Sequence, residues 1–238
     1  MRLAPVALAM TMAFLAAPVS AQVGRYLGEV RTSWGPDGRS MKLLSPFAYL
    51  DRRGQTWSVP AGAVVDGASI PRAAWTVVGG PFEGRYRNAS IIHDWYCDAR
   101  TMRWQDVHRM FYEAMLDAGV EQRQARVMYT AVRYAGPRWN DQAILNARLA
   151  AGLPASLPAK KYPDPVEPGR QRWSEPVRVP PLVSTGEVDP TEFRQLSAFA
   201  SDPEITLDEL DHVADLARSP VHFRPGSTGA SDQSASRP

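Results

Sequence analysis

Three consecutive stretches decide the fold: Arg87–Arg100, RNASIIHDWYCDAR; Trp104–Gly119, WQDVHRMFYEAMLDAG; and Glu121–Pro137, EQRQARVMYTAVRYAGP. Asn88 is a plausible helix N-cap, and the first stretch predicts a helix running to about Arg100. In the second, Val107, Phe111, Ala114 and Ala118 recur at helical spacing, while Arg109, Glu113 and Asp117 lie away from them. Gly119 supplies the left-handed residue that ends such a helix. The third predicts a helix over 121–135 that buries Ala125, Met128 and Val132 and stops at Gly136-Pro137.

Upstream the period changes. Met41–Asp51, MKLLSPFAYLD, alternates in part and is followed by the turn Arg52-Arg53-Gly54 and then QTWSVP, so 41–60 predicts a β-hairpin closed by Pro60. Ala61–Pro81 is punctuated by glycine and proline and reads as loop, with a helical turn around 72–78. A small sheet followed by about three packed helices is an α+β domain, placed at residues 22–150.

The ends read differently. Residues 1–21 combine Arg2, an uncharged apolar run and the small residues Val19-Ser20-Ala21, the pattern of a secretory signal peptide cleaved after Ala21. The mature chain is therefore expected outside the cytoplasm, periplasmic or secreted, with no transmembrane helix. From 151 to 238 the chain reads as a Pro-rich, largely disordered tail holding 13 of the 21 prolines. Two amphipathic segments interrupt it, Pro190–Ala200 and Thr206–Arg218, the second opened by a Thr206/Glu209 capping box.

The net charge of +2 conceals a cancellation. Residues 22–150 carry 17 Lys/Arg against 12 Asp/Glu, and residues 151–238 carry 9 against 13. A contact between basic core and acidic tail is thus expected, and salt should loosen it if charge holds it. A surplus of five charges over the whole core is no concentrated patch, so no nucleic-acid partner is expected. One cysteine, Cys97, excludes an intramolecular disulfide and multi-cysteine metal sites; it could pair between chains or with a small thiol, and reads foremost as a buried, inert thiol.

Two segments mix histidine, carboxylates and small residues: Pro60–Arg72, PAGAVVDGASIPR, and Gly84–Tyr96, GRYRNASIIHDWY. Together with RMFYEAM before Gly119, they resemble the bacterial and bacteriophage family known as domain of unknown function 1353, over roughly 42–139. The resemblance implies phage or prophage settings and brings no established activity.

His93 and Asp94 are consecutive, so on a helix their side chains diverge by about 100° and Asp94 cannot orient His93. A working base needs a partner from another element. Asp66, Asp106 and His108 are the candidates; the last two lie two apart on a helix, so only one faces His93. The His-Asp pair beside a partner helix is also similar to secreted phospholipase A2. That similarity implies a histidine activating water, an adjacent aspartate holding Ca²⁺ and an acid on the second helix. Here Cys97 stands where those enzymes have tyrosine, His108 stands where they have the acid, and no calcium loop is evident.

A divalent metal, Ca²⁺ or Zn²⁺/Mn²⁺, could be held by His93 and Asp94, with Asp66 and His108 completing the set. Arg72, Arg85 and Arg87 form a basic face that could hold an anion. The bland readings stand beside these: a core histidine bonded to backbone, and Asp66-Gly67 as turn chemistry. Two functional readings follow. One is a hydrolase of an ester, phosphoester or envelope component, using His93, Asp94, Asp66, Asp106 and His108. The other is a non-catalytic module that binds a protein or envelope partner through 152–238.

Overall fold

The computed structural model describes residues 23–67, 82, 84–161 and 189–218. The signal-peptide stretch, the turn at 72–78 and most of the Pro-rich stretch lie outside these residues. The architecture is α+β: two small antiparallel sheets packed against a helical layer.

One sheet has the order β1–β4–β5, from β1 (Arg25–Leu27), β4 (Phe47–Leu50) and β5 (Thr56–Val59). The other has the order β2–β3–β6, from β2 (Thr32–Trp34), β3 (Met41–Leu43) and β6 (Val64–Val65). The expected hairpin is β4–β5, in the register Phe47↔Val59 to Leu50↔Thr56. Its turn is built by buried Asp51, whose Oδ1 accepts from the Arg53 and Gln55 amides while Oδ2 accepts from Trp57 Nε1. Met41–Asp51 is not one arm, however. Leu44-Ser45-Pro46 breaks it, and β3 and β4 join different sheets. Met41, Leu43, Phe47, Tyr49, Trp57 and Val59 all point into one core, because alternate residues of each short strand face the helices.

The helical layer begins with a 3₁₀ turn, Gly84–Tyr86, that leads into α1 (Arg87–Ala99). Tyr86 occupies the N-cap position without a side-chain cap, and Asn88 lies inside the helix rather than capping it. Next come α2 (Trp104–Asp117) and α3 (Gln122–Ala135). Gly119 sits at φ +76 and its amide bonds Leu116 O, while Val120 N bonds Met115 O, so the turn into α3 needs a residue tolerant of the left-handed region. A further helix, α4 (Asp141–Ala150), has Asn140 as its cap, with Oδ1 accepting from the Ala143 amide. Apolar spacing predicts three core helices and not this one, because only Ile144 is fully buried there and the apolar signal is slight.

The two amphipathic segments of the C-terminal region are α5 (Pro190–Ala200) and α6 (Leu207–Arg218). Both pack on α3. Thr206 and Glu209 form the expected capping box. Phe193, Leu196, Ala200, Leu210 and Ala214 are buried, and the apolar core is continuous from the sheets to this hairpin. Every residue of α3 from Ala125 to Ala135 is therefore buried, not only the Ala125–Met128–Val132 face.

The acidic complement of the hairpin meets the arginines of α2 and α3. Arg109 reaches Asp208 at 2.8 Å and Asp211 at 3.2 Å. Arg133 reaches Asp211 at 3.4 Å and Asp215 at 2.7 Å, and Arg138 reaches Asp215 at 2.6 Å. Arg126 donates to the carbonyls of Ala200, Asp202 and Ile205, which ends α5 and shapes the loop between the helices.

Candidate functional site

The site lies between α1 and α2. His93 and Cys97 are i and i+4 on α1, one turn apart on the same face, and His108 projects from α2 toward them. His93 Nε2 and His108 Nδ1 are 2.8 Å apart. Cys97 Sγ lies 3.6 Å from His93 Nε2. One ligand atom from each of the three residues falls within 4.8 Å of the others. The Phe111 ring packs on His93 with centroids 4.6 Å apart, and the Trp104 ring meets His108 at 5.5 Å. Behind Trp104, the guanidinium carbons of Arg133 and Arg138 lie 4.5 and 4.4 Å from its ring centroid. Those two arginines hold Asp215 of α6, so the hairpin backs the wall of the site.

Both imidazoles are fully buried, and burial holds both neutral at ordinary pH. The His93 pKa falls to about 3, through desolvation. That of His108 also falls well below its ordinary value, first through desolvation and then through His93 and the cations Arg133, Arg138 and Arg218. Two neutral rings 2.8 Å apart share one hydrogen, one nitrogen donating and the other accepting. His108 Nε2, on the far side of its ring, is buried without a hydrogen-bond partner among the described residues.

Of the three candidate partners for His93, the structure selects His108. Asp94 turns the other way, and its Oδ2 accepts from the amides of Asp66 at 2.8 Å and Gly67 at 2.9 Å. The carboxylate thereby ties the Asp66-Gly67 motif to the His-Asp helix, with Gly67 in the left-handed region at φ +70. Amide donors face that oxygen, so it is engaged as a loop anchor rather than as a ligand for a hard cation. The Asp66 side chain is 44% exposed and lies 3.9 Å from Arg39. Asp106 is buried, and both its oxygens accept from the Lys161 amide, at 3.1 and 3.2 Å, fastening the chain after α4. Asp98, one turn after Asp94, is pushed up to about 6 by desolvation and then by the charges of Asp94 and Asp66.

The arginine face is not gathered at this site. Arg85 donates to Gly119 O, tying the start of α1 to the end of α2, and Arg87 donates to Phe82 O, closing a local turn. Arg72 lies outside the described residues. The sequence reads Cys97 foremost as packing; its spacing of four from His93 is the signal for more. The arrival of His108 had no local signal, because it depends on how α2 packs on α1.

The family model described as "Protein of unknown function (DUF1353)" matches residues 41–132, which span both motif segments and all three site residues. A relative in Sinorhizobium fredii (strain NBRC 101917 / NGR234), the Uncharacterized protein y4iH, is 33% identical over 199 residues, 83% of this chain and 80% of the relative. The chain belongs to this family. A match of that length within 238 residues necessarily takes in the family core and nearly all of α5. The Uncharacterized protein y4jT of the same strain is 42% identical over 127 residues, half of this chain but only 37% of that relative. No solved structure matches the chain. Among the described residues, no helix is long and apolar enough to cross a membrane.

Proposed function

We propose that this family member is an exported hydrolase whose proton-transfer pair is His93 and His108. The observation that supports the reading is the 2.8 Å contact between His93 Nε2 and His108 Nδ1. A general base needs a second group to orient its ring, and at 2.8 Å each neutral ring serves the other in this way without a carboxylate. Export rests on residues 1–21, and the substrate class is an ester, a phosphoester or an envelope component. Such a base contributes about 10²–10⁴-fold in rate. The test is turnover by wild type, His93→Ala and His108→Ala on panels of these substrates, with thermal melts run alongside. Wild-type turnover that both folded variants lose supports the reading; a folded His93→Ala protein with wild-type turnover ends it.

A second reading, a partner-binding module, draws on the outer side of the α5–α6 hairpin. There Leu196, Phe199, Val213 and Leu216 line a shallow groove, and Leu216 is 51% exposed. Leu216→Glu should then abolish capture of a protein partner; capture equal to wild type counts against that use of the hairpin.

A further inference from the structure

We propose that His93 Nε2, Cys97 Sγ and His108 Nδ1 form a three-donor site for a d¹⁰ metal ion of the Zn²⁺ or Cu⁺ class, enclosed between α1 and α2. The inference goes beyond the proton-transfer reading and does not need turnover to be true. Its donors differ from those the sequence suggested, since Cys97 enters and Asp66 and Asp94 leave.

Geometry carries the first part of the argument. Around a tetrahedral zinc, with Zn–N about 2.0–2.1 Å and Zn–S about 2.3 Å, two imidazole nitrogens stand about 3.3 Å apart and nitrogen and sulfur about 3.5 Å. The Cys97 Sγ to His93 Nε2 distance of 3.6 Å already matches. The two nitrogens, at 2.8 Å, must part by about half an ångström, the difference between sharing a proton and sharing a metal. Two of the donors ride one turn apart on a single helix, so the chelate is set by secondary structure and only His108 has to adjust, drawing in on Cys97 Sγ from a separation of no more than 4.8 Å.

Chemistry carries the second. Thiolate and imidazole select zinc and copper(I), whereas calcium, magnesium and manganese prefer oxygen. The nearby carboxylates bind amides elsewhere, Asp94 at 66–67 and Asp106 at Lys161, so their oxygens are committed outside this donor set. Both rings are held neutral, the form that ligates. Charge suits the ion as well: with Cys97 as thiolate, Cu⁺ leaves the buried centre neutral and Zn²⁺ leaves it with one positive charge.

The proton balance is explicit. Binding expels one proton, from the Cys97 thiol to solvent. The hydrogen shared by the two rings withdraws from the contact, and each ring keeps one hydrogen on its far nitrogen, Nδ1 of His93 and Nε2 of His108. Both rings stay neutral and no electron is transferred.

The test uses the full chain stripped of metal. Co²⁺, a spectroscopic substitute for zinc, is titrated into wild type, Cys97→Ser and His108→Ala. Zn²⁺ and Cu⁺ are then titrated separately against chromophoric chelators. The expected result is one equivalent bound by wild type, a thiolate-to-cobalt charge-transfer band absent from Cys97→Ser, and affinity weakened about 100-fold or more in each variant. The Zn²⁺ and Cu⁺ arms show which ion of the class binds more tightly. Cys97→Ser is nearly isosteric, so lost binding with an unchanged melt reports the ligand rather than the fold. Wild type that binds none of the three ions, or binds them no better than Cys97→Ser and without the thiolate band, overturns the proposal. Absence of hydrolysis by the metal-free chain, with the band appearing once cobalt is added, would remove the proton-transfer reading and leave the metal site standing.

Discussion

Asp211→Ala tests how the C-terminal hairpin is held. Asp211 is 4% exposed and sits among Arg109 at 3.2 Å, Arg133 at 3.4 Å and the Tyr129 hydroxyl, which donates to it. Removing one member of such a buried set strands the others, at a cost of about 3–5 kcal/mol. Against this, the three large apolar side chains that the hairpin buries, Phe193, Leu196 and Leu210, contribute at most roughly 5–9 kcal/mol before the entropy of ordering the hairpin is subtracted. The two magnitudes are comparable, so the variant should undock α5 and α6 while the sheets and α1–α3 stay folded. Amide exchange measured by mass spectrometry should accelerate about 10²-fold or more across 190–218 and little across 41–59, since 3 kcal/mol corresponds to more than two decades in the opening constant. The double variant Arg133→Met, Asp211→Leu should recover much of the protection, because an apolar pair of similar size avoids the desolvation cost. Protection at 190–218 within threefold of wild type in Asp211→Ala would refute the reasoning. Salt separates the buried network from a surface attraction: Arg133 and Asp211 are nearly inaccessible, so 1 M NaCl should release the hairpin far less than the charge imbalance of the sequence suggests.

Two further outcomes follow from the site's surroundings. Asp94→Ala leaves the amides of Asp66 and Gly67 without their charged acceptor; urea denaturation should show a loss of about 2–4 kcal/mol, and a change under 1 kcal/mol would mean the loop is held by something else. The buried histidines set a pH dependence of fixed sign. Their folded pKa values lie below the unfolded value of about 6.5, so below that pH the unfolded state binds more protons and stability falls by up to about 1.4 kcal/mol per pH unit for each ring. For His93 this continues toward pH 3, and above pH 7 the contribution is flat. His93→Gln should flatten the acid limb between pH 6 and 4; a slope identical to wild type would place the uptake elsewhere.

The helices were legible from sequence wherever apolar spacing and end signals agreed. The segment 104–119 shows both, in Val107–Phe111–Ala114 and in Gly119, and the capping box at Thr206 placed α6. The β4–β5 hairpin was legible from its turn. The split between β3 and β4 was not, because residues 41–51 read as one strand until the sheets they join are known. α3 shows the limit most clearly: its period marks one apolar face, yet Arg126 and Arg133 on the opposite side are buried under a hairpin that begins more than fifty residues later in the chain.

From the chain alone, His93, Asp66, Asp106 and His108 stood out as able to do chemistry, and Asp94, next to His93 on a helix, could not serve it. The sequence determined too that a basic core and an acidic C-terminal stretch had reason to meet. Only the tertiary structure decided among Asp66, Asp106 and His108, because that choice depends on the rotation of α2 against α1, which no local spacing encodes. The same packing turned Asp94 and Asp106 away from His93 to backbone amides and brought a thiol into the donor set. Side-chain identity is a property of the chain; convergence at 2.8 Å is a property of two packed helices.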